Sequence, residues 1–166
     1  MIRDIIQPIE GDLTQYMQEQ NGLNDTQAAE AITLAQDTLM HNLRRQVMNG
    51  NREGLLGLFS ELPGDMTHPL ETVIREEYTD QLTSRMQLPA TAALQVGRYT
   101  ISALLNAMRK YVTINGSLDR ERLQDVIAGD FDTLRESLEK GLNAEHAGNL
   151  KDKLSEIFGF GIGGKY

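Results

Sequence analysis

The sequence predicts an all-α fold built from two pseudo-symmetric three-helix repeats plus a C-terminal helical pair. Identical residues recur at a constant shift of 65 positions, which is the signature of one supersecondary unit used more than once. Apolar residues also step by three or four along the longest segments, as on one face of a helix, and no strand-like alternation of useful length occurs. The repeated pairs are Ile9 and Ile74, Thr14 and Thr79, Leu23 and Leu88, Thr26 and Thr91, Ala28 and Ala93, Leu39 and Leu104, Arg44 and Arg109, and Val47 and Val112.

Each repeat is predicted to contain a helix, a longer helix and a short helix. In the first repeat, about 2–60, these helices cover about 2–20, 25–48 and 52–60. In the second repeat, about 69–128, they cover about 69–86, 89–113 and 118–128. The pair Pro63-Gly64 marks the join between the repeats, because these residues favour turns.

Residues with special backbone preferences set these helix boundaries. Asn24 or Asp25 can cap the second helix by accepting from its free backbone N–H groups. Pro69 and Pro89 suit the first turn of a helix, where their missing N–H is not needed. Asn and Gly tolerate the left-handed conformation that closes helices; they form the pairs Asn21-Gly22, Asn49-Gly50 and Asn115-Gly116.

The longer helix of the second repeat is predicted to be the central helix of the fold. It carries two neighbouring apolar stripes, and a helix that is apolar over much of its circumference is buried on most sides. Gly97 costs about 1 kcal/mol of helix propensity relative to alanine, which predicts a close approach by another helix. The first stripe is Ala93, Val96, Thr100, Leu104, Met108 and Val112, and the second is Leu94, Ile101 and Leu105.

The repeats and the C-terminal helices, about 131–158, are expected to form one helical domain over residues 1–158. Residues 159–166 form a glycine-rich tail, and such ends are usually mobile. An interaction tail is the alternative interpretation.

Composition excludes several classes of function. The net charge of −8 argues against binding to nucleic acid, which needs clustered Lys and Arg, and against docking on anionic lipid. The sequence has no cysteine, so disulfides and thiolate chemistry are excluded. Acidic residues and Pro8 interrupt any signal-peptide core near the N-terminus, and no apolar run is long enough for a membrane span. A cytoplasmic protein is expected.

No catalytic, cofactor or metal site is predicted. Asp37 and His41 are four residues apart on one helix and could supply two metal ligands, but a solvated polar face is the favoured interpretation. The acidic pairs Glu76-Glu77 and Asp130-Asp132 lie beside arginines, as on a solvated surface. Phosphate-binding, dinucleotide-binding and nucleophile-elbow motifs are absent from the sequence.

Two basic pairs, Arg44-Arg45 and Arg109-Lys110, are the repeated charged feature. Both lie in the last turn of a predicted helix, where cations favour the negative end of the helix dipole. This structural role is the favoured interpretation, and contacts with an anion or a partner are the alternative.

The segments Leu39 to Phe59 and Tyr78 to Val112 resemble a bacterial family, domain of unknown function nine-three-seven, in its Bacteroidetes-type members. The shared features are Gly50-Asn51, Leu55 to Phe59, Leu82 to Leu88, and Ala92 to Val112 with its basic pair. The resemblance covers about 25–128, and the glycine-rich C-terminus is similar as well, but this chain has charged connectors where relatives tend to be rich in Gly and Ser. It implies a helical protein without an assigned activity and supplies no functional residue.

The expected function is that of a non-enzymatic interaction or structural module with a protein partner. One alternative is a carrier of a small apolar ligand between helices, because Met40, Met86 and Met108 could line an adaptable cavity. An enzyme is the weaker alternative. A monomer is favoured over a homodimer, because the first repeat and the C-terminal helices offer enough surface to cover both apolar stripes.

Overall fold

The structure is a computed structural model that describes residues 2–60 and 67–127. The elements are α1 Ile2–Asn21, α2 Asp25–Met48, α3 Arg52–Phe59, α4 Pro69–Met86, α5 Ala90–Val112, β1 Thr113–Ile114 and β2 Ser117–Leu118. Residues 120–127 are also helical and are called α6. The predominantly helical class is confirmed, and the predicted helix bounds agree closely with these. The predicted C-terminal helices at about 131–158 and the tail at 159–166 lie outside the described residues.

Helix starts follow the predicted capping residues. Asn24 caps α2, with its side chain accepting from the N–H of Gln27, whose own side chain accepts from the N–H of Asn24. This reciprocal pair satisfies two donors that the helix end leaves free. His68 caps α4, and Pro69 follows it in the first turn, where the sequence predicted this proline. Pro89 differs slightly from the prediction, because it is the cap residue itself and α5 begins at Ala90.

The prediction that Asn115-Gly116 simply closes the helix is wrong. α5 ends at Val112, and the next residues form a two-stranded hairpin in which Thr113 pairs with Leu118. Asn115 and Gly116 have φ angles of 52° and 79°. Two-residue hairpin turns of type I′ need positive φ at both central positions, and Asn-Gly is among the pairs that meet that need best. The same backbone tolerance therefore produces a chain reversal rather than a helix end.

Helix α5 is central, as predicted, and packs against α1, α2, α3 and α4. The whole first apolar stripe is buried, and so are Ile101 and Leu105 of the second. Leu94 is 53% exposed, so its predicted burial is wrong. Leu94 shares a face of α5 with Ile101. Other helices cover this face at Ile101 but leave it open to solvent at Leu94, near the start of α5.

Gly97 allows the close approach that its position predicted. A Cβ atom there would lie 2.3 Å from the Thr79 Oγ1 and 3.7 Å from the Arg75 carbonyl oxygen. Both neighbours belong to α4, so the missing side chain brings α4 and α5 together. Close packing of helix backbones compensates for the lower helix propensity of glycine.

Polar side chains tie α2 to α4 inside the fold. The Tyr78 hydroxyl donates to the Ala31 carbonyl at 2.7 Å, in a buried position. Burial raises the pKa of Tyr78 because the phenolate would be desolvated, and the Thr100 side chain acts in the opposite direction. The buried amide of Asn42 donates to Glu77 at 2.8 Å. These bonds fix the rotation of the two helices relative to each other.

Crossing a bilayer takes a helix of sufficient length and apolar character, and none of the helices within 2–60 and 67–127 has both.

Candidate functional site: a basic groove on α5

A groove of about 740 Å³ runs along the outer face of α5, between α1 and α4. Most of the lining comes from α5, because its exposed face lies between the two flanking helices. The lining residues are Tyr16, Gln20, Arg75, Thr91, Leu94, Gln95, Arg98, Tyr99, Ser102, Ala103 and Asn106. None of these described residues is acidic. We call this surface the basic groove.

A pair of stacked aromatic rings forms the α1 side of the basic groove. The ring centroids of Tyr16 and Tyr99 are 3.8 Å apart and the ring planes differ by 8°. Tyr99 remains 38% exposed, so its ring both contacts α1 and forms part of the groove surface. Aromatic pairs of this kind contribute about 0.5–1.5 kcal/mol beyond the area they bury. The stack therefore joins α1 to α5 and gives the groove a firm apolar side.

A buried ion-pair network forms the α4 side. Glu71 is 5% exposed, and its two carboxylate oxygens accept from different arginines. Arg75 donates to one oxygen at 2.5 Å, and Arg109 donates to the other at 3.1 Å. Arg75 also donates to the Ser102 hydroxyl at 2.6 Å. These contacts hold the Arg75 guanidinium at the edge of the groove, where it is still 24% exposed.

Arg109 connects this network to α3. Its Nε donates to the Leu58 carbonyl at 2.9 Å, close to the end of α3. A free carbonyl near a helix C-terminus carries partial negative charge, which a cation stabilises. Another of its nitrogens donates to the Asn106 side chain at 3.1 Å. One side chain thus binds the end of α3, the buried carboxylate of α4 and a groove residue of α5.

His68 lies beside this network at the start of α4. Its Nδ1 accepts from the Leu70 N–H at 3.1 Å, and its Nε2 would lie 2.9 Å from a Cβ at Gly57. Burial lowers the pKa of His68, Arg109 lowers it further, and Glu71 acts in the opposite direction. The ring is therefore held as a neutral acceptor, which suits its capping role.

The middle of the basic groove carries Arg98 and Leu94. Both are exposed, and no ion pair or hydrogen bond joins the Arg98 side chain to the part of the chain that the structure describes. The groove therefore presents one engaged arginine, one arginine without a partner among the described residues, and two exposed apolar side chains, Leu94 and Tyr99. This combination is chemically suited to binding.

A second groove of about 540 Å³ lies on α2, and its lining is related to the first by the shift of 65 positions. Its residues are Ala29, Glu30, Thr33, Leu34, Asp37 and Arg85. Adding 65 to the first five gives Leu94, Gln95, Arg98, Tyr99 and Ser102, and Arg85 itself stands 65 positions after Gln20. All six positions thus correspond to lining residues of the basic groove. We call this second surface the acidic groove.

The four basic residues singled out in the sequence lie in different surroundings. Arg109 is engaged in the Glu71 network, and Arg45 lies 3.6 Å from Glu77. Arg44 is half-buried and Lys110 is exposed. Arg109 and Lys110 also line a cavity of about 690 Å³ beside the hairpin. Their role as anion or partner contacts stays a prediction.

The residues weighed in the sequence as metal ligands or as the lining of an apolar cavity lie in other surroundings. Asp37 and His41 are both exposed, and within 2–60 and 67–127 no three His, Asp or Glu side chains come together as a metal site would need. Met40 and Met108 are buried in the core, and Met86 is packed against it. The three cavities named above are lined by other residues.

Sequence reasoning missed Glu71, Arg75, Arg98 and Tyr99. A signal for Glu71 was present, because it occupies the position 65 residues after Ile6, an apolar position on the first helix. A carboxylate at a core position implies a buried cationic partner. Arg75 stands one helical turn after Glu71, and Arg109 stands at the position that repeats Arg44. Nothing in the sequence signals Arg98 or Tyr99, because a groove arises only when helices pack.

Comparison of the chain with protein-family models, with curated proteins and with solved structures found no match.

Proposed function

We propose that this chain is a non-enzymatic helical interaction module and that the basic groove is its binding surface. The observation that carries the proposal is the exposure of Leu94 and Tyr99 on the same face as Arg75 and Arg98. Tyrosine and arginine are enriched at the energetic centres of protein interfaces, where acidic residues are depleted. The groove therefore has the composition of an interface centre.

The two alternative functions receive less support from the described residues. A carrier of an apolar ligand needs an enclosed apolar cavity, whereas the basic groove is open to solvent and mixed in polarity. An enzyme needs titratable groups that converge on a pocket. The groups with shifted pKa values, His68 and Tyr78, belong to a helix cap and a buried helix contact and do not line the groove.

The module is proposed to be a duplicated unit in which α1 and α2 correspond to α4 and α5. Two packing relations support this proposal. α1 packs on α2 as α4 packs on α5, and α1 contacts α5 as α4 contacts α2, which is the exchange that a pseudo-twofold axis produces. The corresponding linings of the two grooves support it independently. In a crystal structure, superposing 4–49 on 69–114 should give a Cα deviation of about 3 Å or less, the scale at which repeat units remain recognisable.

The remaining expectations belong to the same proposal. The resemblance to domain of unknown function nine-three-seven, a cytoplasmic location, a monomeric state and the absence of nucleic-acid binding are all consistent with a small helical module.

Site-specific crosslinking tests the proposed binding surface. Because the sequence contains no cysteine, a single introduced cysteine gives one attachment point for a photoreactive group. Leu94→Cys places that group in the basic groove. Val73→Cys is the matched control, because Val73 is also exposed, at 47%, and lies outside the groove lining.

The expected result is a crosslinked partner from the native cell extract at position 94 and not at position 73. Tyr99→Ala should abolish the crosslink while leaving the helical circular-dichroism spectrum unchanged, since Tyr99 is partly exposed and its loss removes groove surface. Equal crosslinking at both positions, or a crosslink that survives Tyr99→Ala, would show that the groove is not the binding surface.

A further inference from the structure

We infer that the basic groove binds an acidic segment of its protein partner, through carboxylates placed against Arg75 and Arg98 and an apolar side chain placed against Leu94 and Tyr99. This inference rests on the proposed function and adds the chemistry of the partner. Three independent observations lead to it: the charge of the lining, the state of the two arginines, and the difference between the two corresponding grooves.

The charge of the basic groove is opposite to that of the protein. The whole chain has 24 acidic and 16 basic residues, so an average surface should carry more carboxylates than cations. The described lining has two arginines and no carboxylate. The nearest buried carboxylate, Glu71, is already shared between Arg75 and Arg109, so this trio carries one net positive charge. The groove is therefore a positive region on a negative molecule, and such regions steer and select acidic partners.

The two arginines are available in different ways. Arg75 is fixed by Glu71 and Ser102 and remains 24% exposed, so its position is set before a partner arrives. Arg98 is exposed and its side chain has no partner among the described residues. An arginine presents several N–H donors in a planar fork that matches a carboxylate. A fixed arginine can orient a carboxylate, and a free one can close on a second.

The acidic groove gives an internal comparison. At corresponding positions Arg98 replaces Thr33, Gln95 replaces Glu30 and Ser102 replaces Asp37. Each of these three differences makes the basic groove more positive than the acidic one. Arg75 likewise corresponds to Glu10 on the first helix. In the opposite direction, Arg85 of the acidic groove stands where the basic groove has Gln20. The acidic groove therefore carries two carboxylates and one arginine while the basic groove carries two arginines, as expected where only one of the two surfaces receives an acidic ligand.

The exposed apolar side chains add specificity that charge alone lacks. Leu94 and Tyr99 lie on either side of Arg98, four residues before and one residue after it. A partner side chain of leucine or phenylalanine size can cover them, which favours an acidic peptide over a bare polyanion. The two arginines of the groove also provide too few phosphate contacts for strong binding to nucleic acid, whose affinity grows with the number of contacts.

Fluorescence anisotropy with purified full-length protein and synthetic peptides tests the inference. The probe is a short labelled peptide rich in glutamate with one central leucine. The comparison peptides replace every glutamate by glutamine or the leucine by serine. A single-stranded oligonucleotide of similar length is the polyanion control.

The glutamate peptide should bind, and its affinity should fall as salt is raised because exposed charges are screened. The glutamine and serine versions should bind at least about tenfold more weakly, a difference of about 1.4 kcal/mol. Arg98→Glu should weaken binding by a similar factor. Arg85→Glu, in the acidic groove, is the matched charge reversal and should leave the affinity within about twofold, since long-range attraction is largely screened.

Four outcomes would overturn the inference. These are equal binding of the glutamate and glutamine peptides, equal effects of Arg98→Glu and Arg85→Glu, preferential binding of the oligonucleotide, and lack of binding by every peptide. If the peptides fail while the crosslink from Leu94→Cys still depends on Tyr99, the groove is a binding surface for a partner of other chemistry. If that crosslink also fails, the proposed function itself is wrong.

The thiol at Leu94→Cys distinguishes two further occupants. Reaction with a maleimide should be as fast as at Val73→Cys in the free protein and slower when the glutamate peptide is bound. A thiol protected in the free protein at every concentration would mean that the chain covers its own groove. Protection that increases with concentration would mean that a second copy covers it. Either result would overturn the inference.

Discussion

The acidic groove and the basic groove are built at corresponding positions on α2 and α5, yet their surroundings differ below the surface as well as in charge. On the first helix, Ile6 is 1% exposed. At the corresponding position α4 contributes Glu71, which is 5% exposed and bound to two arginines. At these corresponding positions the core of the first half is thus apolar, and the core of the second half is ionic.

The difference between Ile6 and Glu71 explains how Arg75 is held in place at the surface. Arg75 is at the edge of the basic groove because a buried carboxylate fixes it from below. The described residues of the first half include no buried carboxylate, and Glu10 occupies the position that corresponds to Arg75. The difference in charge at the surface therefore accompanies a difference in the core.

Truncation of the central leucines should produce the largest effect and tests whether the two halves share one core. Leu104 and Leu39 stand at corresponding positions and are both 0% exposed. Leu104→Ala and Leu39→Ala should each lower the free energy of unfolding by about 2–5 kcal/mol, the usual cost of a cavity. Urea denaturation measures both.

The loss should also be independent of protein concentration, because a monomer releases no second chain on unfolding. A neutral Leu104→Ala would contradict the central position of α5. A melting temperature of the unmodified protein that rises with concentration would favour a dimer.

Neutralising the buried carboxylate should have the next largest effect and directly tests the ionic half. Glu71→Gln keeps the shape of the side chain but leaves Arg75 and Arg109 without a counter-charge. Removing one partner of a buried ion pair costs about 3–5 kcal/mol. Here the arginines are 24% and 22% exposed and water screens part of that cost, so about 2–3 kcal/mol is expected in urea denaturation.

Glu76→Gln is the control for that experiment, because Glu76 lies on the same helix and is exposed. Its effect should stay within about 0.5 kcal/mol, as for most surface substitutions. Equal effects of the two substitutions would mean that the Glu71 network adds no stability.

Substitution of two helical glycines should separate close packing from helix propensity. Gly97→Ala would place a methyl carbon 2.3 Å from the Thr79 Oγ1, and such overpacking costs about 1–3 kcal/mol. Gly11 has no atom within 4 Å of the added carbon, so Gly11→Ala should stabilise the protein by up to about 1 kcal/mol. Thermal unfolding compares them.

The added substitution Thr79→Ala should remove most of the cost of Gly97→Ala, because it removes the clashing hydroxyl. If Gly97→Ala stabilises the protein as Gly11→Ala does, α4 and α5 are not closely packed at this point.

Much of the fold could be predicted from the sequence, because the relevant signals are local. Asn24 and His68-Pro69 begin helices through hydrogen bonds and backbone angles that depend on a few neighbouring residues. The burial of Ile101 and the exposure of Leu94 could not be separated, since both lie on one face of α5 and only the packing of other helices decides which is covered. The hairpin signal Asn115-Gly116 was in the sequence, but the flanking strands have two residues each and are too short to show alternation.

The candidate site could be predicted only in part. Arg109 was singled out because it repeats Arg44, but its buried carboxylate partner is 38 residues away in sequence. The groove itself joins residues of α1, α4 and α5, and no local pattern records that juxtaposition. When residues 65 positions apart are compared in pairs, the pairs that differ explain the contrast between the two grooves better than the pairs that are identical.

The smallest expected effect is a change of stability with pH, and it arises from His68 in the second half of the chain. The pKa of His68 is lowered below its usual value of 6.5, first by burial and then by Arg109. The unfolded chain therefore binds a proton more readily than the folded protein, so stability is full above about pH 6.5 and decreases as the pH falls below it. Protonation would also remove the Nδ1 acceptor that caps α4.

His68→Asn should reduce this loss, because asparagine caps helices well and does not titrate. Urea denaturation between about pH 7.5 and 5.5, above the range in which most carboxylates titrate, measures the difference. An identical pH dependence in the two proteins would contradict the role of His68.

The Glu71 network also bears on how a tandem sequence reaches a single topology. On the proposed duplication, α1 and α4 have similar docking positions, so an exchange of the two helices would give a compact but misassembled chain. If α1 took the position of α4, Arg109 would meet Ile6 instead of Glu71 and would be left without its carboxylate partner. If α4 took the position of α1, Glu71 would exchange its present contacts with Arg109 and Ser102 for the corresponding residues Arg44 and Asp37, the second of which is acidic. On the proposed duplication, the Arg109–Glu71 ion pair therefore favours the observed placement of α1 and α4 over their exchange, even where replacing the whole network by apolar residues would cost little stability.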